Sequence, residues 1–317
     1  MAPLGEKSLI ERIRRRVRAG SAVVNGIGDD SAVLRVPAGH ELLVTTDFTL
    51  ENVHFRRQWH PPEVVGWRCL TRGLSDIAAM GGEPRAAFLS LALDGRTPQK
   101  WVNGFFDGLL EAASEFGLPL AGGDTAQSAG GIQADIVVVG SVPNGKAVLR
   151  SGARTADGVY VTGELGGSAA ALAQLHTGKA RPADYPRHFH PVARIAVGQW
   201  LQRRGLASGM IDISDGLSTD LEHICEESGV GAEIAGAAIP RARVGHRAQQ
   251  VGLDLALHGG EDYELLFTSA KKIPAQVAGV PVTRIGRITR KRRMVLTEDD
   301  GARRTLEVRG WEHFKGN

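Results

Sequence analysis

Acidic side chains recur in this sequence beside glycines and at the expected ends of apolar strands. Six segments carry them: GIGDDSAVL, TTD, LSDIAAMGG, AGGDT, IDISDG and GGEDYELLF. Glycine lets a backbone approach a ligand closely, and carboxylate oxygens are ligands that hard cations such as Mg²⁺ prefer. Because Mg²⁺ in enzymes commonly accompanies phosphate, the segments together predict a site for Mg²⁺ and a phosphorylated ligand.

Two of these segments lie near the N-terminus. Asp30 precedes a short expected strand, and taken alone its GDD segment is more typical of a plain turn. Thr45, Thr46 and Asp47 are expected to end an apolar strand, which presents three oxygen-bearing groups together. His54 follows seven residues later; a lone histidine is usually structural, so its neighbours alone make it a candidate.

Two further acids belong to apolar segments of the N-terminal half. Asp76 lies within an expected helix whose neighbouring positions are apolar. A buried, unpaired acid would cost several kcal/mol, so a cation or a hydrogen-bond donor should compensate it. Asp124 is expected at the end of a strand, where Gly122 and Gly123 leave room for a phosphate group.

The C-terminal half carries the remaining acidic segments. Asp212 and Asp215 are three residues apart at an expected strand-to-helix turn, with Ser214 between them. Capping of the helix by Asp215 and metal binding are equally good interpretations of this segment alone. Glu261 and Asp262 precede the apolar run ELLF. The six acidic segments together support a site for metal ions and phosphate more strongly than any one of them does.

The expected chemistry is phosphoryl transfer without the usual phosphate-binding motifs. The sequence has no GxxxxGK[ST] loop and no glycine-rich loop followed by protein-kinase signatures. Phosphoryl transfer needs charge neutralisation, alignment of donor and acceptor, and backbone donors around the phosphates. Single carboxylates on several loops meet that need, since each Mg²⁺ keeps several waters and binds few carboxylates directly.

Composition limits the class of protein. The chain has 317 residues, 42% of them hydrophobic, with 41 glycines and a formal charge of +3. This length allows two domains, and the small charge favours neither nucleic acid nor a membrane surface as a partner. Cys69 and Cys225 lie in apolar runs and are expected to be buried thiols. With no apolar leader or spanning stretch, the expected location is the cytoplasm.

Hydrophobic periodicity and turn residues place the elements that carry these acids. Helices are expected at 8–18, 62–80, 99–117, 191–205 and 217–229, and strands at 31–36, 41–47, 85–93, 119–125, 134–142 and 208–214. Turn residues around 142–157 indicate a domain boundary, which gives domains 1–143 and 144–317. Residues 178–192 are expected to be an exposed loop, and the charged C-terminal region a hairpin that turns at Asp300–Gly301.

The ordered motifs resemble the thiamine-monophosphate kinase family. The resemblance rests on GIGDDSAVL, TTDFTLENVHF, LSDIAAMGGEPRAAFLSLAL, GGDT, VLRSGAR, IDISDGLSTDL and GGEDYELLF, with a weaker match at GWEHF. It implies a mixed α/β (α+β) fold of two domains, like that of aminoimidazole ribonucleotide synthetase. The N-terminal domain would bind ATP and Mg²⁺ and form a homodimer through its sheet, and the C-terminal domain would close over nucleotide and substrate.

The same resemblance implies an activity and roles for individual residues. The activity is direct in-line transfer of phosphate from ATP to thiamine monophosphate with several Mg²⁺ ions, and Asp47, Asp124 and Asp212 would be catalytic. The implied metal ligands are Asp30, Thr45, Thr46, Asp47, Asp76, Asp124, Asp212 and Asp215. The implied ATP contacts are Phe106, Gly123, Asp124, Arg150 and Ser214, and the implied substrate contacts are His54, Glu261 and Trp311.

Two positions depart from the family pattern, and other activities remain open. Phe106 stands where a tyrosine is expected, and Asn52 where a glycine is expected. Selenophosphate synthetase would need a reactive N-terminal cysteine, but the first cysteine is Cys69; the hydrogenase-maturation relative would end in cysteine, but this sequence ends HFKGN. The purine-pathway relative is less like IDISDGL and GGEDYELLF. A binding protein that uses its acids as structural metal ligands is the alternative outside enzymes.

Overall fold

The structure is a computed structural model that describes residues 5–18, 20–28, 30–178, 180–298 and 300–311. Two compact units make up the chain. The first unit comprises Met1–Ile77 and Gly82–Gly145, and the second comprises Ala78–Gly81 and Lys146–Asn317.

The first unit is a four-stranded mixed sheet with helices. Its helices are α1 (Glu6–Arg16), α2 (Pro62–Ala79) and α3 (Gln99–Glu115), and its strands are β1 (Val23–Asn25), β2 (Val33–Leu34), β3 (His40–Leu50), β4 (Glu83–Leu93), β5 (Leu120–Gln127) and β6 (Gln133–Pro143). The sheet order is β3-β6-β4-β5, in which β4 and β5 are parallel and the other pairs antiparallel. Strands β1 and β2 form a separate hairpin.

Alternation along β3 separates two faces of this sheet. Leu43 is buried, whereas Leu42, Val44 and Phe48 are 50%, 63% and 58% exposed. Residues two apart on a strand share a face, so one face carries the core and the other presents apolar side chains to solvent.

The second unit is built on an eight-stranded sheet. Its helices are α4 (Gly167–His176), α5 (Pro186–Phe189), α6 (Ile195–Arg203), α7 (Leu217–Ser228) and α8 (Leu253–His258). Its strands are β7 (Gly158–Thr162), β8 (Gly209–Asp212), β9 (Gly231–Ala235), β10 (Arg243–Val244), β11 (Gln249–Gln250), β12 (Leu265–Ser269), β13 (Gln276–Val277), β14 (Val280–Thr289), β15 (Met294–Thr297) and β16 (Arg303–Thr305). The sheet order is β16-β15-β9-β14-β7-β12-β8, with β13 beside β14.

Both faces of the central strands of this sheet are covered. Val159 and Val161 of β7 belong to a core that includes Leu221 of α7, whereas Tyr160 belongs to a second core with Val197 of α6. A strand covered on both sides shows a continuous apolar run, which is why all five residues of β7 are buried. The expected mixed α/β architecture is confirmed.

Several predicted elements need correction. The expected strand ends at Asp47 and Thr125 are wrong, because β3 continues to Leu50 and β5 to Gln127 through main-chain pairing with their neighbours. The expected strand 31–36 is reduced to Val33–Leu34. Register with neighbouring strands, which a single strand's pattern does not contain, decides these lengths.

The prediction of an exposed loop at 178–192 is wrong in part, because residues 181–183, 186, 187 and 190 are exposed but the segment contains short helices and buried side chains. Residues 182–184 form a 3₁₀ turn and α5 follows it, with His188 and Phe189 each 1% exposed. The Ser168 hydroxyl lies 2.9 Å from His188 Nδ1, which explains how a polar ring is buried there.

Other expectations on structure are confirmed. Strands β15 and β16 pair as the charged C-terminal hairpin, and Gly301 has a φ of 87° at its turn. Cys69 and Cys225 are buried thiols, and burial raises the pKa of each to about 12. No helix within the described ranges is long and apolar enough to cross a membrane.

Candidate functional site

A cavity of about 680 Å³ in the first unit brings four of the predicted ATP or metal residues together. Asp30, Phe106, Gly123 and Asp124 all line it. Ile13 of α1 contributes to an apolar side of the cavity, and Phe106, which is 3% exposed, packs edge-on against another phenylalanine of α3. A flat apolar group and a charged group can therefore be held in one cavity.

Gly123 has a structural reason to be glycine at this cavity. Its φ is +149°, and a Cβ added there would lie 1.9 Å from the carbonyl oxygen of Leu89 on the neighbouring strand. The parallel pairing of β4 and β5 therefore excludes any side chain at this position. Asp124 follows directly, exposed, with Oδ1 accepting the N–H of Thr125 at 2.8 Å. Asp29, which precedes Asp30 in the GDD segment, lies outside the described residues.

A second group of predicted ligands lies between β3 and α2. The Thr45 hydroxyl donates a hydrogen bond to Asp76 Oδ2, which supplies the donor expected for an acid within an apolar helix. Arg72, one turn before Asp76, donates from Nε to Asp47 Oδ1 at 3.1 Å. Thr46 projects from β3 on the opposite, exposed face.

The sequence analysis missed Arg72, which belongs to this group, and Asp135, which bonds the backbone of Asp47. Arg72 was signalled by its spacing of four from Asp76, since such residues share one helix face. Asp135 on β6 accepts a backbone hydrogen bond from Asp47, and burial raises the pKa of its carboxyl group. The apolar run IVVV after Asp135 concealed it, because the residue reads as part of a strand.

The two groups of the first unit lie on different strands. Asp47 belongs to β3 and Asp124 to β5, which are the opposite edges of the four-stranded sheet. Three strand spacings of about 4.8 Å separate their backbones, so the structure does not bring these two carboxylates into contact along the sheet.

His54 lies in a turn that follows β3. Its Nδ1 accepts the N–H of Leu50 at 3.0 Å, which leaves the ring proton of the neutral imidazole on Nε2. Asn52 has a φ of +67°, a left-handed conformation that asparagine tolerates and that accounts for the glycine expected here. Arg57 holds the turn through Glu51 at 2.6 Å and Asp94 at 3.0 Å.

The acidic turn of the second unit connects β8 to α7. Asp212 ends β8 and is 4% exposed, and Ser214 and Asp215 follow in the turn. The interpretation of Asp215 as the helix cap is wrong: Asp220 Oδ2 accepts the N–H groups of Asp215 at 3.3 Å and Gly216 at 3.0 Å. A carboxylate from the first turn of α7 thus fixes the turn from within the helix.

This turn carries enough negative charge for a cation. Ligand atoms of Asp215, Asp220 and His223 lie within 4.8 Å of one another. Burial, followed by the charges of Asp212 and Asp215, raises the pKa of Asp220 well above its ordinary value. A divalent ion would offset this repulsion, so the donor set fits a metal such as Mg²⁺ bound mainly by oxygen.

The predicted substrate residues of the second unit meet at the same turn. Glu261 donates its N–H to the carbonyl of Ser214 at 2.7 Å, and Trp311 donates its N–H to the carbonyl of Asp215 at 3.0 Å. Glu261 has a φ of +64°, an uncommon conformation for a residue with a side chain. Arg150 is exposed in a 3₁₀ turn and makes no side-chain hydrogen bond among the residues that the structure describes.

Asp262, next to Glu261, has a structural role. Its carboxylate accepts the N–H groups of Gly166 at 2.6 Å and Ser168 at 3.2 Å, which caps α4. Burial raises the pKa of Asp262 to about 7. Asp262 therefore stabilises α4 rather than adding a ligand to the turn.

Comparison with known domains defines the class of protein. Residues 28–142 match the AIR synthase related protein, N-terminal domain, and residues 155–299 match the AIR synthase related protein, C-terminal domain. The fold of two mixed α/β units with acidic turns is thus that of the AIR synthase related proteins.

Individual relatives narrow this class. The chain is 39% identical to the thiamine-monophosphate kinase of Escherichia coli strain K12, over 98% of this chain and 98% of that protein. The crystal structure of thiamine-monophosphate kinase from Stenotrophomonas maltophilia K279a has a TM-score of 0.82 and 34% identity, covering 95% of this chain and 98% of that one. The structure of AaThiL complexed with AMPPCP and TMP has a TM-score of 0.77 and 33% identity, covering 98% and 97%. The chain belongs to the thiamine-monophosphate kinase family.

Proposed function

We propose that this protein transfers the terminal phosphate of ATP to thiamine monophosphate, giving thiamine diphosphate and ADP. A phosphate oxygen of thiamine monophosphate forms a bond to the γ-phosphorus, and the bond from that phosphorus to the β,γ-bridging oxygen breaks. The observation that carries the proposal is the joint position of Asp215, Glu261 and Trp311 at one turn of the second unit. The backbones of an acidic and an aromatic residue are thus bonded to a turn that carries proposed metal ligands, and these are the residue types that a phosphorylated cationic heterocycle needs.

The proposed roles follow the chemistry of each group. Mg²⁺ would neutralise the phosphate charges and would be held by Asp30, Thr45, Thr46, Asp47, Asp76, Asp124, Asp212 and Asp215. ATP would contact Phe106, Gly123, Asp124, Arg150 and Ser214. Arg150 would bind phosphate through its guanidinium, which stays positively charged at any physiological pH. His54, Glu261 and Trp311 would bind thiamine monophosphate. Its phosphate is already ionised at neutral pH, so the reaction needs no general base.

We also propose that the protein is a homodimer joined through the first unit's sheet. The exposed face of β3 carries Leu42, Val44 and Phe48, each at least half exposed. Neighbouring apolar side chains on one exposed strand face favour a protein partner, and a second copy is the simplest one. The cytoplasm, where ATP is abundant and thiols stay reduced, is the proposed location.

A coupled assay of ADP release tests the proposed activity. The full chain with Mg²⁺ and ATP is incubated with thiamine, thiamine monophosphate or the substrates of the related enzymes, and His54→Ala is assayed in parallel. We expect ADP release with thiamine monophosphate alone, and a raised KM for that substrate in the variant. Binding of Mg-ATP without turnover on any acceptor would instead support the metal-stabilised binding protein, and turnover on another superfamily substrate would identify a different enzyme.

A further inference from the structure

The last described residues of the chain bind back to the acidic turn of the second unit. We call Arg309–Trp311 the C-terminal segment. Trp311 donates its N–H to the Asp215 carbonyl at 3.0 Å, and Gly310 donates its N–H to the Thr219 hydroxyl at 3.1 Å. Two consecutive backbone donors thus connect this segment to the turn and to the first turn of α7.

The side chain of Arg309 anchors the segment to α8. Its guanidinium donates to Asp254 Oδ1 at 2.5 Å and lies 2.9 Å from His258 Nε2. The other ring nitrogen of His258 lies 2.8 Å from the hydroxyl of Ser218. Because guanidinium only donates, His258 Nε2 must accept and the ring proton is on Nδ1. Arg309 therefore bonds to the neutral form of His258, which in turn contacts α7.

The fit at Gly310 is too close for a side chain. A Cβ there would lie 2.4 Å from the Asp215 carbonyl oxygen and 2.2 Å from the Thr219 hydroxyl. Its φ is not in the left-handed region, so space alone excludes alanine. The close contact is with the backbone of Asp215, a proposed metal ligand. Because the segment is bonded to the Asp215 carbonyl and to the Thr219 hydroxyl, it would lose both hydrogen bonds if it moved away from the turn.

We propose that Arg309 and Gly310 are positioning residues that hold Trp311 beside the Asp212–Asp215 turn, where its indole contacts the acceptor. The inference rests on the proposed function. Trp311 is 54% exposed, so part of its indole is accessible to a ligand while its backbone is fixed. A ring whose backbone is bonded to the turn binds the acceptor with a smaller entropic cost of ordering its own segment.

Gly310→Ala tests the proposal, with Gly130→Ala as the matched control. Gly130 also lacks a left-handed φ, and a Cβ there would meet nothing within 4 Å. We expect Gly310→Ala to raise the KM for thiamine monophosphate roughly tenfold, the order of a lost cation–π contact, with kcat and the KM for ATP within about twofold of wild type. Gly130→Ala should match wild type in all three. An unchanged KM for thiamine monophosphate, or an equal rise in the KM for ATP, would overturn the proposal.

A double-mutant cycle separates positioning from general damage. If Gly310 acts through Trp311, then Gly310→Ala combined with Trp311→Ala should be no worse than Trp311→Ala alone. Additive losses would contradict the mechanism. Arg309→Ala should raise the same KM by a smaller factor, and Arg309→Lys should recover part of it by keeping a donor near Asp254.

A measurement without turnover keeps this inference distinct from the proposed function. Acrylamide quenching of tryptophan fluorescence is measured in wild type, Trp311→Phe, Gly310→Ala and the double variant Gly310→Ala/Trp311→Phe. In each background, the difference between the protein with Trp311 and the protein with Trp311→Phe gives the quenching of Trp311. We expect stronger quenching of Trp311 in the Gly310→Ala background because the segment detaches. Equal quenching would refute the positioning role even if the wild-type enzyme is active. If the wild-type protein releases no ADP with thiamine monophosphate, the proposed function is refuted, and so is the contact of Trp311 with that acceptor. The quenching measurement still tests the positioning role in that case.

Discussion

Gly123→Ala is expected to destabilise the first unit because two separate costs coincide at this residue. The φ of +149° is unfavourable for alanine, at about 1–3 kcal/mol. The Cβ would also lie 1.9 Å from the Leu89 carbonyl oxygen, and overpacking of that kind costs a further amount of about 1–3 kcal/mol. The sum is about 2–6 kcal/mol, or between one and four orders of magnitude in the unfolding equilibrium.

Gly122→Ala is the matched control for this substitution. Gly122 precedes Gly123 in the same strand, has no left-handed φ, and its Cβ would meet only ring atoms of Phe88 at 2.9 and 3.1 Å. A side chain can move where a backbone carbonyl cannot, so we expect a loss of about 1 kcal/mol or less. The contrast between neighbours isolates the approach of β4 to β5.

The assay is urea unfolding of the full chain, combined with hydrogen exchange of the β4 and β5 amides. Exchange is needed because a chain of two units need not unfold in one step. We expect Gly123→Ala to lower protection of both strands and to raise the KM for ATP, since Asp124 follows the displaced residue. A free energy of unfolding within about 0.5 kcal/mol of wild type would refute the reasoning, because surface changes without a named cause fall in that range.

Three further perturbations test other parts of the structure. Asp47→Asn and Asp124→Asn should each lower turnover at least about a hundredfold in the ADP assay with an unchanged circular dichroism spectrum, and wild-type rates at ordinary Mg²⁺ would count against their roles. Arg194→Met should cost about 3–5 kcal/mol in urea because it leaves Glu264, which is 3% exposed, as a buried charge; adding Glu264→Gln should restore part of that stability, and no recovery would contradict the pairing. Burial and the Arg309 charge lower the pKa of His258 from 6.5 in the folded protein, so the unfolded chain binds more protons below about pH 6.5 and the free energy of unfolding should fall with acidification. His258→Asn should flatten this decline between about pH 7.5 and 5.5, and an identical decline in the variant would exclude His258 as its source.

Local pattern predicted most of the helices and strands, and it predicted one contact that the structure confirms. Asp76 was expected to need a donor because an acid in an apolar helix is costly, and Thr45 supplies it. The C-terminal hairpin follows from alternation and an Asp-Gly turn, both of which are local properties. Where residue type or strand alternation alone sets the feature, sequence reasoning was sufficient.

The same reasoning failed where the three-dimensional path of the chain chooses between neighbouring residues or brings in a distant partner. Asp215 looked like a cap, but Asp220 takes that role because α7 turns its carboxylate back toward the preceding amides. Residues 178–192 looked exposed, yet His188 is buried because Ser168, twenty residues away, bonds its ring. Neither contact leaves a periodic signal in the sequence.

By itself, the sequence determined that this chain carries carboxylates on glycine-rich turns in a fixed order, and it thereby predicted a chemistry of metal ions and phosphate. Residue type and spacing are sufficient for that conclusion because ligand preference is a property of the side chain. Only the tertiary structure decided which carboxylates are neighbours. It set Asp47 and Asp124 on opposite edges of one sheet and bound Trp311 to the Asp215 carbonyl, since strand order and backbone pairing depend on packing of the whole unit.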